Sequence, residues 1–283
     1  MSASGAGNGI AARLLRSRAF MTGAVLLTIL LAMAAGADLL YPDDPLGIAG
    51  RPTLWPGINA QFPLGTDMLG RDMAAEIFHG ARISLTIGFA AAAISLSIGV
   101  LIGVTAGYVG GPLGEVLMRI TEFFQTIPSF LFAIVLVVIL QPSIESIVLA
   151  IGVTTWPQIA RLARAEVLRV RRADYVLAAV TMGRRPTRIV IDHVLPNSLA
   201  PVVVATSVLV ANAILVEASL SFLSLGDPNS ASWGAMIGAG REVLRTAWYM
   251  SAVPGAAVFV TVMGFTLLGN GLNDVLNPRG ADR

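Results

Sequence analysis

Six apolar runs, each close to the length a helix needs to cross a bilayer, constrain this chain more than any other feature. About 30 Å of hydrocarbon takes roughly 20 residues at 1.5 Å each. Runs of that kind lie at approximately 19–40, 83–107, 116–140, 143–161, 198–223 and 249–272. Glu145 and the Trp156-Pro157 pair interrupt the fourth. Backbone polar groups in lipid must be satisfied within their own segment, so the runs predict helices. The chain is 55% hydrophobic and 13% charged, whereas a soluble domain carries about a quarter charged residues. The expected fold class is an all-α membrane protein with six transmembrane helices. A cytosolic N-terminal segment (1–18) precedes a transmembrane domain (19–283), with no soluble second domain and no internal repeat.

Composition also removes several chemistries. There is no cysteine, so no disulfide framework or thiolate metal site is available. All 19 basic residues are arginine. The Gly-x-x-x-x-Gly-Lys-Ser/Thr phosphate loop needs its lysine to reach the terminal phosphates, so ATP binding would fall to another chain. A formal charge of +2 is too small to imply nucleic acid. Neither a His-Glu-x-x-His nor a Gly-x-Ser-x-Gly motif occurs, and no catalytic or metal-ligating residue is expected.

Arginine bias sets the orientation. With the N-terminus cytosolic, 14 arginines fall inside, from Arg13 to Arg283. Five fall outside: Arg51, Arg71, Arg82, Arg241 and Arg245. Both termini are therefore expected in the cytosol. His79 then lies outside and His193 inside, so the two cannot share a metal or a triad. The first run has the basic flank and small residues of a signal peptide, but its apolar stretch is longer than the usual core of one, which favours a retained span.

Eight of the inner arginines cluster between Arg161 and Pro196. Within this stretch Asp174 suits an N-cap and Gly183 a C′ position, which delimits a two-turn helix. Tyr175, Ala178, Ala179 and Met182 recur at i, i+3, i+4, i+7 and are expected to share one face. Pro186 suits the first turn of a second short helix, and Pro196 should break the chain beyond it. Two short helices joined by Gly183-Arg-Arg-Pro would form an elbow facing the cytosol. One reading is a docking surface for a cytosolic partner; the other is a loop whose arginines only enforce topology.

The residues here acquire a specific likeness. Ala178-Ala179-x-x-x-Gly183, then Ile189 and His193-x-Leu195-Pro196-Asn197, resembles the cytosolic loop of ABC importer permeases, in particular the second permease subunit of dipeptide/oligopeptide importers. Further matches are Pro63-Leu-Gly-Thr-Asp67-x-Leu-Gly70-Arg-Asp72, Gly80-Ala-Arg82-x-Ser-Leu85, Glu217-Ala-x-Leu-Ser-Phe-Leu-x-Leu-Gly226, Ser232-Trp233-Gly234-x-Met236 and Leu268-Gly-Asn-Gly-Leu272-x-Asp274-x-Leu276-x-Pro278. Leu177 stands where the family usually has Glu. Asn270, Asn273 and Asn277 stand where Asp, Arg and Asp are common. The resemblance implies a type I importer permease in a bacterial cytoplasmic membrane, with coupling helices in a loop at about 161–197. It implies as partners a homologous permease subunit, two ATPase subunits holding ATP and Mg, and an extracytoplasmic substrate-binding protein. Asp174, Tyr175, Leu177, Ala178, Ala179, Met182 and Gly183 would be the ATPase-coupling residues. Cargo could be peptide or, in the same architecture, a nickel chelate or glutathione. A self-sufficient secondary transporter would instead favour several central charges.

Other positions carry two readings each. Glu217, in the last turns of the fifth run, is a pathway residue or a packing one near the outer surface. Arg119 and Glu122, at i, i+3, form a structural ion pair or a gate. Trp233 and Trp248-Tyr249 read as interfacial anchors. Asp67, Arg71, Asp72 and Glu76 form a polar outer cluster, either solvated or facing the binding protein. Gly99, Gly103 and Gly107 make a small-residue stripe for packing within the chain or between subunits.

Overall fold

The computed structural model describes residues 12–276; most of the 1–18 segment and the C-terminal Asn277, Pro278, Arg279 and Arg283 lie outside the described residues. Five helices are long and apolar enough to span a bilayer. They are α1 (Arg18–Leu40), α2 (Met73–Val109), α5 (Ile144–Arg171), a continuous Pro186–Phe222 helix, and α10 (Tyr249–Leu276). The sixth expected span is two helices, α3 (Gly111–Thr126) and α4 (Ser129–Leu140), bent by 83°. Short helices α6 (Asp174–Thr181) and α9 (Trp233–Gly240) complete the order, with α7 (Pro186–Ile189) and α8 (Leu195–Phe222) as the two parts of the continuous helix.

Pro128, Pro157 and Pro196, in or beside the apolar runs, have three different outcomes. Pro128 has no N–H and biases the residue before it out of the α region. Ile127 accordingly adopts φ −88°, ψ 125°, and the expected straight 116–140 span breaks there. Pro157 does not interrupt α5, which runs 28 residues. Trp156 and Pro157 are both buried, so packing holds the helix through one lost hydrogen bond. Pro196 does not break the chain either. A π turn at Val190–Val194, in which Leu195 N–H donates to Val190 O, widens the backbone just ahead of it. The expected second short helix is thus the beginning of the fifth span.

The tightest packing joins α2 to α5, and it resolves the glycine stripe as contact within the chain. A Cβ on Gly99 would sit 2.6 Å from Ile159 Cβ, and one on Gly107 2.9 Å from Val167 Cβ. On Gly103 it would collide with the Ala160 carbonyl oxygen. Gly152 does the same from α5, meeting Ile94 Cγ2 at 2.7 Å. Small residues at four-residue spacing let two backbones approach closely, and dispersion then holds them without help from water. Because α2 has 37 residues, about 55 Å at helical rise, it exceeds the hydrocarbon thickness and carries the seam toward the arginine-rich end.

At the opposite end, residues that read as membrane anchors tie down loop 41–72 and the first turns of α2. Trp233 is fully buried, and its indole N–H donates to Ile77 O at 3.0 Å. Tyr249 is buried too, with its hydroxyl 2.9 Å from Leu54 O and 2.8 Å from Thr66 O. Of the three expected anchors only Trp248 remains exposed. Arg82 fastens α2 to α1 through Ala34 O (3.1 Å) and Asp38 (3.0 Å).

The seam generates a test. Gly103→Ala should lower the detergent-solubilised melting temperature by several degrees, as forcing extra atoms into a packed contact costs about 1–3 kcal/mol. Gly255→Ala, with nothing within 4 Å of its Cβ position, should leave the melting temperature unchanged or raise it. Equal melting of both variants would contradict the close-packed seam.

Candidate functional site

The arginine-rich end is built on the last turns of α5 and the first turns of the Pro186–Phe222 helix. Arg161, Arg164, Arg169 and Arg171 lie on α5 rather than in a loop, so the connection is shorter than the expected 161–197. Arg169 pairs with Glu166 at 2.8 Å, Arg184 with Asp192 at 3.3 Å, and Arg171 lies over the Tyr108 ring at 5.7 Å. Arg161 donates to Gln125 at 3.1 Å.

Helix α6 sits across this end. Its N-cap is Ala173, not Asp174; Asp174 is the first helical residue, where a carboxylate still complements the helix N-terminus. Gly183 takes φ +72° and its N–H donates to Val180 O, while Arg184 N–H reaches back to Ala179 O. This paired closure satisfies the last carbonyls and needs a left-handed residue at Gly183.

The expected shared face is divided in the structure. Val176 and Ala179 point down and are 1% and 2% exposed. They pack with Val167 and Val170 of α5, Ile189 of α7 and Val194 of the π turn. Ala179 is therefore a mounting residue, because position i+4 from Tyr175 falls under the helix once Val176 sets its rotation. The upper surface carries Tyr175, Leu177, Ala178, Val180 and Met182 instead, with Met182 73% exposed. Leu177 and Val180 add apolar area that the i, i+3, i+4, i+7 selection left out. Apolar side chains concentrated on one short, mounted helix form a surface suited to an apolar cleft.

At the opposite end, Glu217 is neither at the surface nor snorkelling. It is 1% exposed, and one carboxylate oxygen accepts from Ser221 (2.8 Å) and Ser232 (2.7 Å). Ser232 caps α9 by accepting from Ala235 N–H, and Ser84 of α2 accepts from Trp233 N–H at 3.3 Å. Glu217 thus ties α8 to the start of α9 beside α2. Ser221 was readable as the i+4 partner of Glu217; Ser84 and Ser232 come from remote segments and carry no local signal.

The polar cluster beside it is structural in the same sense, not solvated. Asp67 accepts from the N–H groups of Leu69 and Arg71, Asp72 caps α2 through Ala74 N–H, and Glu76 is buried 3.9 Å from Arg71. Partial burial pushes the Asp72 carboxyl above its ordinary range, against the two backbone N–H groups that pull it down. Arg119 and Glu122 form a 3.6 Å pair on exposed α3 surface. His79 contacts Tyr41 O and His193 contacts Arg184, at opposite ends of the molecule. Among the described residues no group of three or more His, Asp or Glu could hold a metal.

Substitutions at two positions probe these local structures. Gly183→Val should destabilise the α6 mount by about 1–2 kcal/mol, whereas Gly183→Asn should be tolerated, because the space is open and only the backbone conformation discriminates. Local hydrogen exchange of α6 reads the difference. Glu217→Ala should cost about 1–3 kcal/mol by stranding two buried hydroxyls, and Glu217→Gln less, since its amide oxygen still accepts. Thermal unfolding in detergent measures both; equal losses for Ala and Gln would contradict the hydrogen-bonded tie.

Known proteins resemble this chain. Residues 99–281 match the family described as binding-protein-dependent transport system inner membrane component. The di/tripeptide transport system permease protein DppC of Pseudomonas aeruginosa is 35% identical, over 91% of this chain and 87% of its own length. A putative peptide transport system permease protein of Brucella suis is 38% identical over 95% and 90%. The oligopeptide transport system permease protein OppC of Bacillus subtilis is 36% identical over 92% and 85%. Among solved structures, the inward-facing MetNI methionine ABC transporter matches with a TM-score of 0.59 at 19% identity, over 71% of this chain and 96% of that one, which speaks for the fold alone. The chain is a multi-pass inner membrane protein with the type I importer permease fold, and it belongs to the binding-protein-dependent transport system inner membrane components of ABC importers.

Proposed function

We propose that this chain is the second permease subunit of an ATP-driven importer of di- and oligopeptides, with both termini in the cytosol. In this reading, residues 1–18 form a cytosolic segment ahead of the permease domain. A homologous permease subunit completes the passage, two ATPase subunits hold ATP and Mg, and an extracytoplasmic binding protein delivers cargo. The peptide names of the three relatives support the cargo class.

The observation that carries the coupling role is the mounting of α6. Its underside is locked to α5 through Val167 and Val170 and to the fifth span through Ile189 and Val194. A force applied to α6 would therefore move the inner ends of two spans together. Its upper surface would seat in a cleft of an ATPase subunit, with Tyr175 and Met182 filling pockets and Leu177 replacing a polar contact by an apolar one. ATPase closure would swing α5 and the fifth span between inward- and outward-open arrangements.

The test uses the reconstituted complex. Leu177→Asp and Met182→Asp should each weaken ATPase association at least about tenfold, because seating an unpaired carboxylate in an apolar cleft costs more than the ~1.4 kcal/mol this represents. ATP-driven uptake of labelled peptide should fall with it. Unchanged association and uptake would overturn the docking role. Uptake of a nickel chelate or glutathione but not peptide would reassign the cargo.

A further inference from the structure

We infer that Gln125, Gln158, Arg161 and Asn212 form the wall of a water-filled passage that this chain contributes to the transporter, with the broken α3–α4 span as its bend. Three observations converge on these residues. The first is the break itself. A helix C-terminus leaves carbonyls without partners and a helix N-terminus leaves N–H groups without them. At the 83° bend, α3 ends at Thr126, Pro128 brings no N–H, and α4 begins with no side-chain cap. Gln125, Thr126, Pro128 and Ser129 are all exposed there. Irregular backbone at membrane depth is tolerated where protein buries it or water lines it, and never against lipid.

The second observation is a set of exposed amides within the spans. Gln158 of α5 and Asn212 of α8 are exposed, and among the described residues neither side chain makes a hydrogen bond within the chain. A bare carboxamide in hydrocarbon costs several kcal/mol on transfer scales. Both lie on helices that pass for membrane spans, so their outward faces meet something polar. The third is the cavities they share. A cleft of about 290 Å³ at the bend is lined by Gln125, Thr154, Gln158 and Arg161. Another of about 510 Å³, between α5 and α8, has Gln158 and Asn212 as its polar lining among five apolar residues. Gln158 lines both, so the two spaces adjoin along one wall. Its carboxamides donate and accept as peptide groups do, and Arg161, held from one side by Gln125, offers further N–H donors to a carboxylate.

That a peptide uses this wall rests on the importer reading; that the wall is wet does not. The chain has no cysteine, so single cysteines report directly. Gln158→Cys and Asn212→Cys are introduced into the assembled complex in liposomes, with Leu101→Cys and Phe259→Cys as outward-facing apolar controls. Labelling of this chain by a charged methanethiosulfonate reagent is followed by mass. Both wall cysteines should react at least about tenfold faster than the controls, since only a hydrated thiol ionises to the reactive thiolate, and peptide cargo with its binding protein should slow them. Rates equal to the controls would overturn the passage wall. Wet cysteines in a complex that transports no peptide would keep the wall and sink the importer reading; transport with unreactive cysteines would do the reverse.

Discussion

The approach of α2 to α5 is the contact on which the rest of this molecule depends. Inside a bilayer no hydrophobic force favours helix against helix over helix against lipid, so association rests on how closely backbones can come. Gly99, Gly103 and Gly107 remove side chains on α2 where Ile159, Ala160 and Val167 of α5 arrive, and Gly152 returns the favour to Ile94. The result is a ridge-and-groove fit along much of both helices. It also explains why α5 survives Pro157: a helix pressed along its length against a rigid neighbour keeps its course through one missing hydrogen bond.

From this seam the geometry of the arginine-rich end is set. Val167 is at once the residue that fills the Gly107 notch and a member of the cluster under α6. The chain of contact therefore runs from α2, through α5, to Val176 and Ala179, and on to Ile189 and Val194 at the base of the fifth span. Nothing in it is a flexible tether. The π turn ahead of Pro196 lets the fifth span begin directly behind the elbow, without a loop that would absorb displacement. On the coupling proposal, a helix mounted this way would transmit motion because its underside is packed while its upper side is exposed.

Most of the fold was legible because lipid imposes a simple rule on sequence: long apolar runs, helices, arginines on one side. Five of the six apolar runs are unbroken helices long enough to span a bilayer. The failures came where one residue type has several structural outcomes. Pro128 and Pro157 look alike in a hydropathy trace, yet one bends the chain by 83° and the other leaves it continuous. Helix α6 was legible in extent, through Gly183, but its face was not. Its rotation is set by Val176 meeting α5, a tertiary contact that no local spacing encodes. Trp233 and Tyr249 read as interface anchors because aromatic residues near span ends usually are. Here their polar atoms find carbonyls of Ile77, Leu54 and Thr66, and the rings go into the core. Glu217 was legible as unusual but not as buried, because two of the serines around it come from other segments.

The same physics separates the two ends of the molecule. At the Glu217 end, polar groups inside the protein find one another: carboxylate with serines, indole with carbonyl, Asp67 and Asp72 with backbone N–H groups. At the α3–α4 bend they do not. Backbone ends, carboxamides and a guanidinium stand exposed there with few partners in the chain. A membrane protein can afford unsatisfied groups only where something outside its own chain satisfies them. Around Glu217 the pairing is extensive but not complete, since Glu217 Oε2 and Arg71 Nε are buried without a hydrogen bond; at the bend the exposed groups mark a surface completed by water, a neighbouring subunit or a passing solute. The bend, a break in helix within a span, is on the passage proposal the part explained less by stability than by transport.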